Sequence, residues 1–331
     1  MRILHLTNMY PNQNNCYSGI FVKNQIDSLG KKGIDYQLVC LGRNFGGYRK
    51  IFSLRNKVEW ADIIHAHFGH VGTLALIWKY IRNKPIVVSY CGSDILGALN
   101  TKERFLAGVN AFLSKYVDCA IVKSAGLAKK VRTKSVEIIP CGIDTRLFQE
   151  IDKSEARKAI KLGDYTGKLI LFLGQKNNRV KNFSLFKKAL ECLDFEFRHL
   201  LLENIPYAEV PYYMNAADVC VLTSLYEGSP NVIKEVMACN RPIVSVGVGD
   251  VKEMLCGIDG CFVVTSDPNE IAKGIKLAVG FSRTNARKKI FDLGLDLDAT
   301  ADKIIKVYRE VYNHSRHEES SYSVGRTATI H

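Results

Sequence analysis

Tyr226-Glu227-Gly228-Ser229-Pro230-Asn231-Val232-Ile233-Lys234-Glu235 follows directly on the run Asp218-Val219-Cys220-Val221-Leu222-Thr223. An uninterrupted apolar run between polar ends is the pattern of a short strand buried on both faces, as in a parallel sheet. From Asn231 to Cys239 the apolar residues fall at 232, 233, 236 and 237, a helical stripe. Ser229 can cap this helix and Pro230 suits its first position. The segment therefore predicts strand, turn and helix. A helix N-terminus at the carboxyl end of a parallel strand offers free N–H groups and partial positive charge, which suits it to phosphate. Glu227 in the turn faces such a ligand, and Glu235, about one and a half turns into the helix, can accept hydrogen bonds from sugar or ribose hydroxyls.

The same alternation runs through the chain. Strand-like runs occur at Ile3–Thr7, Tyr36–Leu41, Asp62–Ala66, Pro85–Tyr90, Cys119–Val122 and Glu137–Ile139, and again at Leu169–Leu173, Arg198–Leu202, Asp218–Thr223, Pro242–Val246 and Cys261–Val264. Helical patterns at Phe21–Lys31, Val71–Arg82 and Glu103–Tyr116 separate the first series. This predicts an α/β protein with two parallel sheets covered by helices. With 331 residues, 47% of them hydrophobic, each half has material for its own core.

Composition narrows the classes further. No run of 18 or more apolar residues predicts a membrane-spanning helix. Met1-Arg2-Ile3-Leu4-His5-Leu6-Thr7 reads as a first strand and not as a signal peptide, so a cytoplasmic location is expected. The ten cysteines are irregularly spaced, without a Cys-x-x-Cys pair, and fit reduced thiols better than disulfides or a zinc site. Residues 1–150 carry 21 Lys+Arg against 10 Asp+Glu, while the rest of the chain is almost balanced. That basic half can rest on an anionic membrane surface; a solvated face and a nucleic-acid surface are the alternatives, and no recognition-helix motif supports the latter.

Three further segments bear candidate site residues. In Leu171-Phe172-Leu173-Gly174-Gln175-Lys176-Asn177-Asn178-Arg179-Val180-Lys181-Asn182-Phe183 a strand passes through a cationic loop into a helix. Arg179 and Lys181 thereby emerge at the carboxyl edge of the sheet. In Met9-Tyr10-Pro11 and Tyr17-Ser18-Gly19-Ile20-Phe21, Gly19 permits close backbone approach, but there is no GxGxxG fingerprint of a dinucleotide site. Ile63-Ile64-His65-Ala66-His67-Phe68-Gly69 places His65 and His67 on one face of a strand; His67 is read as lining a cleft, with a structural imidazole as the alternative. Val88-Ser89-Tyr90-Cys91-Gly92-Ser93-Asp94 adds Cys91 and Asp94.

The string EGSPNVIKEVMACNRPIVSVGVGDVKEML, with two glutamates bracketing seven residues, resembles the donor-site signature of glycosyltransferase family 4, and the other segments match that family in order. The resemblance implies the GT-B fold, two Rossmann-like domains with parallel sheets facing across a cleft. Residues 1–145 correspond to an acceptor-binding domain and 146–299 to a nucleotide-sugar-binding domain. Residues 300–313 form a helix returning to the first domain, and 314–331 are expected to be a disordered tail. The implied activity is retaining, metal-independent hexosyl transfer from a nucleoside diphosphate sugar to a saccharide or polyprenyl-linked acceptor, in polysaccharide or lipopolysaccharide biosynthesis. No cofactor, metal or nucleic acid is implied, and the location is peripheral on the inner face of the cell membrane. Arg179 and Lys181 correspond to the residues that take the charge of the leaving diphosphate. Glu227 supports the reacting sugar, Glu235 the ribose, and Gly19, Gly228, Ser229, Pro230, Asn231 and Val232 surround the donor; His67 is the further catalytic candidate. Cys91 departs from the pattern, standing where many relatives carry a histidine, which shifts weight to His67 or Asp94 on the acceptor side. A non-catalytic nucleotide-sugar-binding or scaffold protein of the same fold is the alternative function.

Overall fold

The computed structural model describes residues 1–12, 17–42, 45–97 and 101–327. The chain forms two compact units, one of residues 1–140 with 298–331 and the other of residues 141–297. The first holds β1 (Arg2–Thr7), β2 (Asp35–Cys40), β3 (Ile63–His67), β4 (Ile86–Tyr90), β5 (Cys119–Val122) and β6 (Val136–Ile138). They pair all-parallel in the order β2-β1-β3-β4-β5-β6. The second holds β7 (Lys168–Phe172), β8 (Phe197–Leu201), β9 (Val219–Leu222), β10 (Ile243–Val246) and β11 (Cys261–Val264), all-parallel in the order β11-β10-β9-β7-β8. Both orders are doubly wound, as the apolar runs predict.

The inner strands of each sheet are buried on both faces because they are apolar at odd and even positions alike, while the edge strands β2, β6 and β8 are partly exposed. In the first, Leu4, Leu6, Ile64, Ala66 and Val88 pack on one side. Ile3, Ile63, Val87 and Ile121 pack on the other, against Ile304 and Tyr308 of helix Leu297–Thr327. That helix begins earlier than the apolar pattern indicates and continues through Thr327, so residues 314–327, read as a disordered tail, are helical. No proline or glycine interrupts them before Gly325; the last four residues lie outside the described ones. In the second unit Leu171, Cys220 and Leu222 pack on helix Asn231–Ala238 through Ile233, Val236 and Met237. Ile170, Phe172, Val219 and Val221 meet Phe186 and Ile275 opposite.

A doubly wound sheet has a switch point, where successive connections leave to opposite faces and a crevice opens beyond the carboxyl ends. Here these points lie between β1 and β3 and between β7 and β9. The second is anchored at its far end by Asp218. Its buried carboxylate accepts hydrogen bonds from Arg157 Nη2 (2.9 Å), Lys153 Nζ (2.7 Å) and the Leu169 amide (2.7 Å), tying the starts of β7 and β9 together.

Candidate active site

The loops leaving β7 and β9 meet at the second switch point. After β7 the chain forms a 3₁₀ turn at Arg179–Lys181, started by Asn178, whose Oδ1 accepts the Val180 amide at 3.0 Å. Thr223, just after β9, donates its hydroxyl to the carbonyls of Lys181 and Asn182 (3.0 and 3.1 Å), and the Leu225 amide bonds Val180 O. The cationic loop is thus fixed to the neighbouring loop and not free in solvent. Lys181 lies back over Gly174, where an added Cβ would meet Lys181 Cγ at 2.7 Å. Its Nζ then reaches Glu227 Oε1 at 2.7 Å, and the same oxygen accepts Ser224 Oγ at 2.9 Å. Arg179, by contrast, is exposed and makes no side-chain hydrogen bond among the described residues.

Helix Asn231–Ala238 starts beside this pair. Pro230 occupies its cap in an extended conformation (φ −70°, ψ 112°), and no side chain caps the helix. Two expectations are corrected here. Pro230 precedes the first helical residue, and Ser229 is thereby pushed one place too far out for its hydroxyl to reach the first-turn amides. Asn231 Oδ1 is instead a buried polar atom without a hydrogen-bond partner among the described residues, and Ser229 Oγ and Asp250 Oδ1 are buried beside it with no partner but one another. Such atoms are costly unless a ligand or water pairs them, and here they surround an uncapped helix terminus. Behind it the fully buried Lys234 donates to Cys141 O at 2.7 Å, adding a fixed positive charge under the helix start. Gly228, Ser229, Pro230, Asn231 and Val232 therefore form one wall with Glu227 and Lys181.

Glu235 lies one layer in. It is buried, its Oε1 accepts the Tyr207 hydroxyl at 2.9 Å, and burial pushes its carboxyl up to about 7, with Lys234 and Lys181 pulling the other way. Tyr207, Lys234 and Asp250 were not singled out in the sequence. Only their convergence from separate elements marks them.

In the first unit Gly19 stands immediately before helix Ile20–Lys31 at φ +71°, and a Cβ there would lie 2.3 Å from Met9 O. No other residue fits that position without moving the first loop. His67 is buried, not lining an open surface, which corrects its reading as a cleft residue. The reason is register. His5 of β1 pairs with His65 of β3, and His5, His65 and His67 all point to the side covered by helix Leu297–Thr327. His67 Nε2 lies 3.1 Å from His5 Nδ1 and the ring stacks on His65 at 4.4 Å, while His65 bonds the Tyr308 hydroxyl and Ser89 Oγ (2.9 Å). Their donor atoms lie within 4.8 Å of one another, a spacing a metal ion could use. However, both nitrogens of His65 are already engaged, and the nearby Lys123 ammonium opposes a further cation.

Asp94 organises the loop after β4 and does not present a free carboxylate. It accepts the amides of Gly69 (2.7 Å), Gly92 (2.8 Å) and Cys91 (3.0 Å). Burial nevertheless raises its carboxyl above the usual range. Cys91 is half-buried, with its thiol directed at Ser89 O.

Two buried groups, His5 in the first unit and Glu235 in the second, give opposite pH responses. Burial lowers His5 to about 3, so its unfolded form gains a proton below 6.5 that the folded form does not bind. The first unit therefore loses about 1.4 kcal/mol per pH unit from this group as pH falls below 6.5. Glu235 is raised from 4.5 to about 7, so the folded second unit holds a proton that the unfolded chain releases, and its stability rises as pH falls from 7 towards 4.5. Hydrogen exchange at pH 7 and pH 5.5 is expected to show weaker protection in β1 and β3 and stronger protection in helix Asn231–Ala238. Parallel changes in both would contradict these assignments.

An uncapped helix start, a Lys–Glu pair and a buried glutamate meet at the switch point of a doubly wound sheet, an arrangement suited to a phosphorylated ligand. The family model described as Glycosyltransferase Family 4 matches residues 31–147, and that described as Glycosyl transferases group 1 matches residues 194–279. The putative teichuronic acid biosynthesis glycosyltransferase TuaC of Bacillus subtilis is 25% identical over 322 residues, covering 77% of this chain and 83% of its own. Sucrose-phosphate synthase from Thermosynechococcus elongatus superimposes with a TM-score of 0.77 at 17% identity, over 95% of this chain and 100% of that one. Anabaena HepE in complex with UDP-glucose does so with a TM-score of 0.72 at 17% identity, over 94% and 100%. The chain is a GT-B glycosyltransferase of the family 4 type.

Proposed function

We propose that the protein transfers a hexosyl group from a nucleoside diphosphate sugar to a hydroxyl of a saccharide or lipid-linked acceptor, with retention at the anomeric carbon. The observation that carries this reading is the Lys181–Glu227 contact beside the uncapped start of helix Asn231–Ala238. As the bond from the anomeric carbon to the phosphate oxygen breaks, negative charge grows on the diphosphate and positive charge on the sugar. Lys181, the helix amides and Lys234 stabilise the first, with Arg179 able to swing in from solvent; Glu227 stabilises the second. Glu235 accepts hydrogen bonds from the ribose. These fixed charges supply the stabilisation a divalent ion gives elsewhere, so the reading needs no metal.

TuaC is named for teichuronic acid biosynthesis and HepE binds UDP-glucose, which supports a uridine donor and a role in cell-surface polysaccharide synthesis. Among the described residues no helix is long and apolar enough to cross a membrane. The basic first half is read as resting on the inner face of the membrane, where a lipid-linked acceptor is presented. Cys91, in place of the histidine of many relatives, is the observation that favours a non-catalytic donor-binding protein instead.

Calorimetric titration with nucleoside diphosphates at pH 8 tests the donor site. Glu235→Gln is expected to weaken binding about tenfold or more, since a hydrogen bond to a charged group contributes ~1.5–3 kcal/mol. In the native protein affinity is expected to rise with pH through about 7, where Glu235 ionises, and the substitution should flatten that profile. Equal, pH-independent affinity in both proteins would remove Glu235 from the site.

A further inference from the structure

Helix Thr101–Leu113 is amphipathic in an unusual sense. It buries Ala107 and Asn110 and turns its largest apolar side chains outward. Phe105 is 71% exposed, and Leu106 and Phe112 are each 45% exposed. Phe105 and Phe112 are seven residues apart, hence on one face. Large apolar groups on one exposed helix face need a partner that repays their hydration.

The surroundings of the patch say which partner. Lys102 and Arg104 are exposed on the same helix. Lys115 Nζ sits 4.2 Å from the Phe112 ring centroid, and the Arg132 guanidinium 5.4 Å from it. Lys115, Arg132 and Lys134 have no ion-pair partner among the described residues, and all three line a cavity of about 670 Å³ whose walls also hold Lys79, paired with Asp118, and Glu310. Phenylalanines flanked by unpaired cations match the boundary of a bilayer, where rings enter the acyl region and ammonium and guanidinium groups meet phosphates. A protein partner would need a surface both apolar and acidic, and a nucleic-acid duplex, met through its backbone phosphates, would leave the phenylalanines in water.

We propose that the outer face of helix Thr101–Leu113 is a docking surface for bilayers of anionic phospholipid, with the phenylalanines inserted and the Lys115–Arg132–Lys134 cavity receiving headgroup phosphate. This localises the membrane part of the proposed function to named residues and does not depend on the transfer chemistry.

The test is co-sedimentation of the full chain with phosphatidylglycerol or phosphatidylcholine vesicles at low and high ionic strength, with nucleoside diphosphate affinity as the control for folding. Binding is expected to phosphatidylglycerol only. Phe105→Ser with Phe112→Ser should weaken it about tenfold through lost insertion, and Lys115→Gln with Arg132→Gln about fivefold per charge. Nucleotide affinity should be unchanged in both, so a failure here is separable from a failure of the donor site. Vesicle binding insensitive to both pairs would overturn the proposal. So would absence of vesicle binding, whether or not light scattering shows self-association that Phe105→Ser with Phe112→Ser disperses; dispersal would assign the face to a second copy of the chain.

Discussion

Lys181→Ala is expected to lower kcat/KM for glycosyl transfer by about 10²–10³, the loss seen when one preorganised group is removed from a developing oxyanion. The effect should fall mainly on kcat, because the diphosphate gains its full charge only as the glycosidic bond breaks. The substitution also strips Glu227 of its 2.7 Å partner, leaving only Ser224 on that oxygen. Glu227→Ala should therefore lose about as much alone as the pair loses together, the non-additivity of groups that act as a unit. Steady-state kinetics of the two single variants and the double variant measure this; additive losses would mean that the contact is incidental.

The largest effect on stability is expected at Asp218. Removing a carboxylate that accepts from Arg157, Lys153 and the Leu169 amide leaves a buried guanidinium without its counter-ion. Loss of one partner of such a pair costs roughly 3–5 kcal/mol. For a unit of this size Asp218→Ala should lower the melting temperature of the second unit by roughly 10 °C, and protection should fall first at the starts of β7 and β9. Because β9 leads into Thr223 and Glu227, donor binding should weaken as well. Calorimetry showing an unchanged transition would mean that solvent reaches Arg157 readily.

The doubly wound fold was legible because buried parallel strands declare themselves as apolar runs, and all eleven strands lie within one residue of where those runs place them, at either end. The wall around the start of helix Asn231–Ala238 was legible in part. Glu227, Glu235 and the residues from Gly228 to Val232 are contiguous, so one strand–turn–helix reading positions them together. The Lys181–Glu227 contact was not, since it depends on β7 and β9 being neighbours, a fact of sheet order. His5 was missed and His67 misread for the same reason: only the β1–β3 register brings the imidazoles together under Tyr308. Ser229 looked like a cap because its residue type suits one; the extended Pro230 after it denies the geometry. The basic charge of the first half was visible in composition, but the outward face of helix Thr101–Leu113 was not. In sequence, Phe105, Leu106 and Phe112 look like a core stripe, and only burial shows which side is covered.

The most direct test of the donor-site assignment is nucleoside diphosphate release from a panel of sugar donors, with and without membrane lipid extract, by the native protein, Lys181→Ala and Glu227→Ala. The account predicts acceptor-dependent release from one donor, abolished or nearly so in both variants. Tight donor binding without turnover under any condition, or turnover that both variants retain, would contradict it.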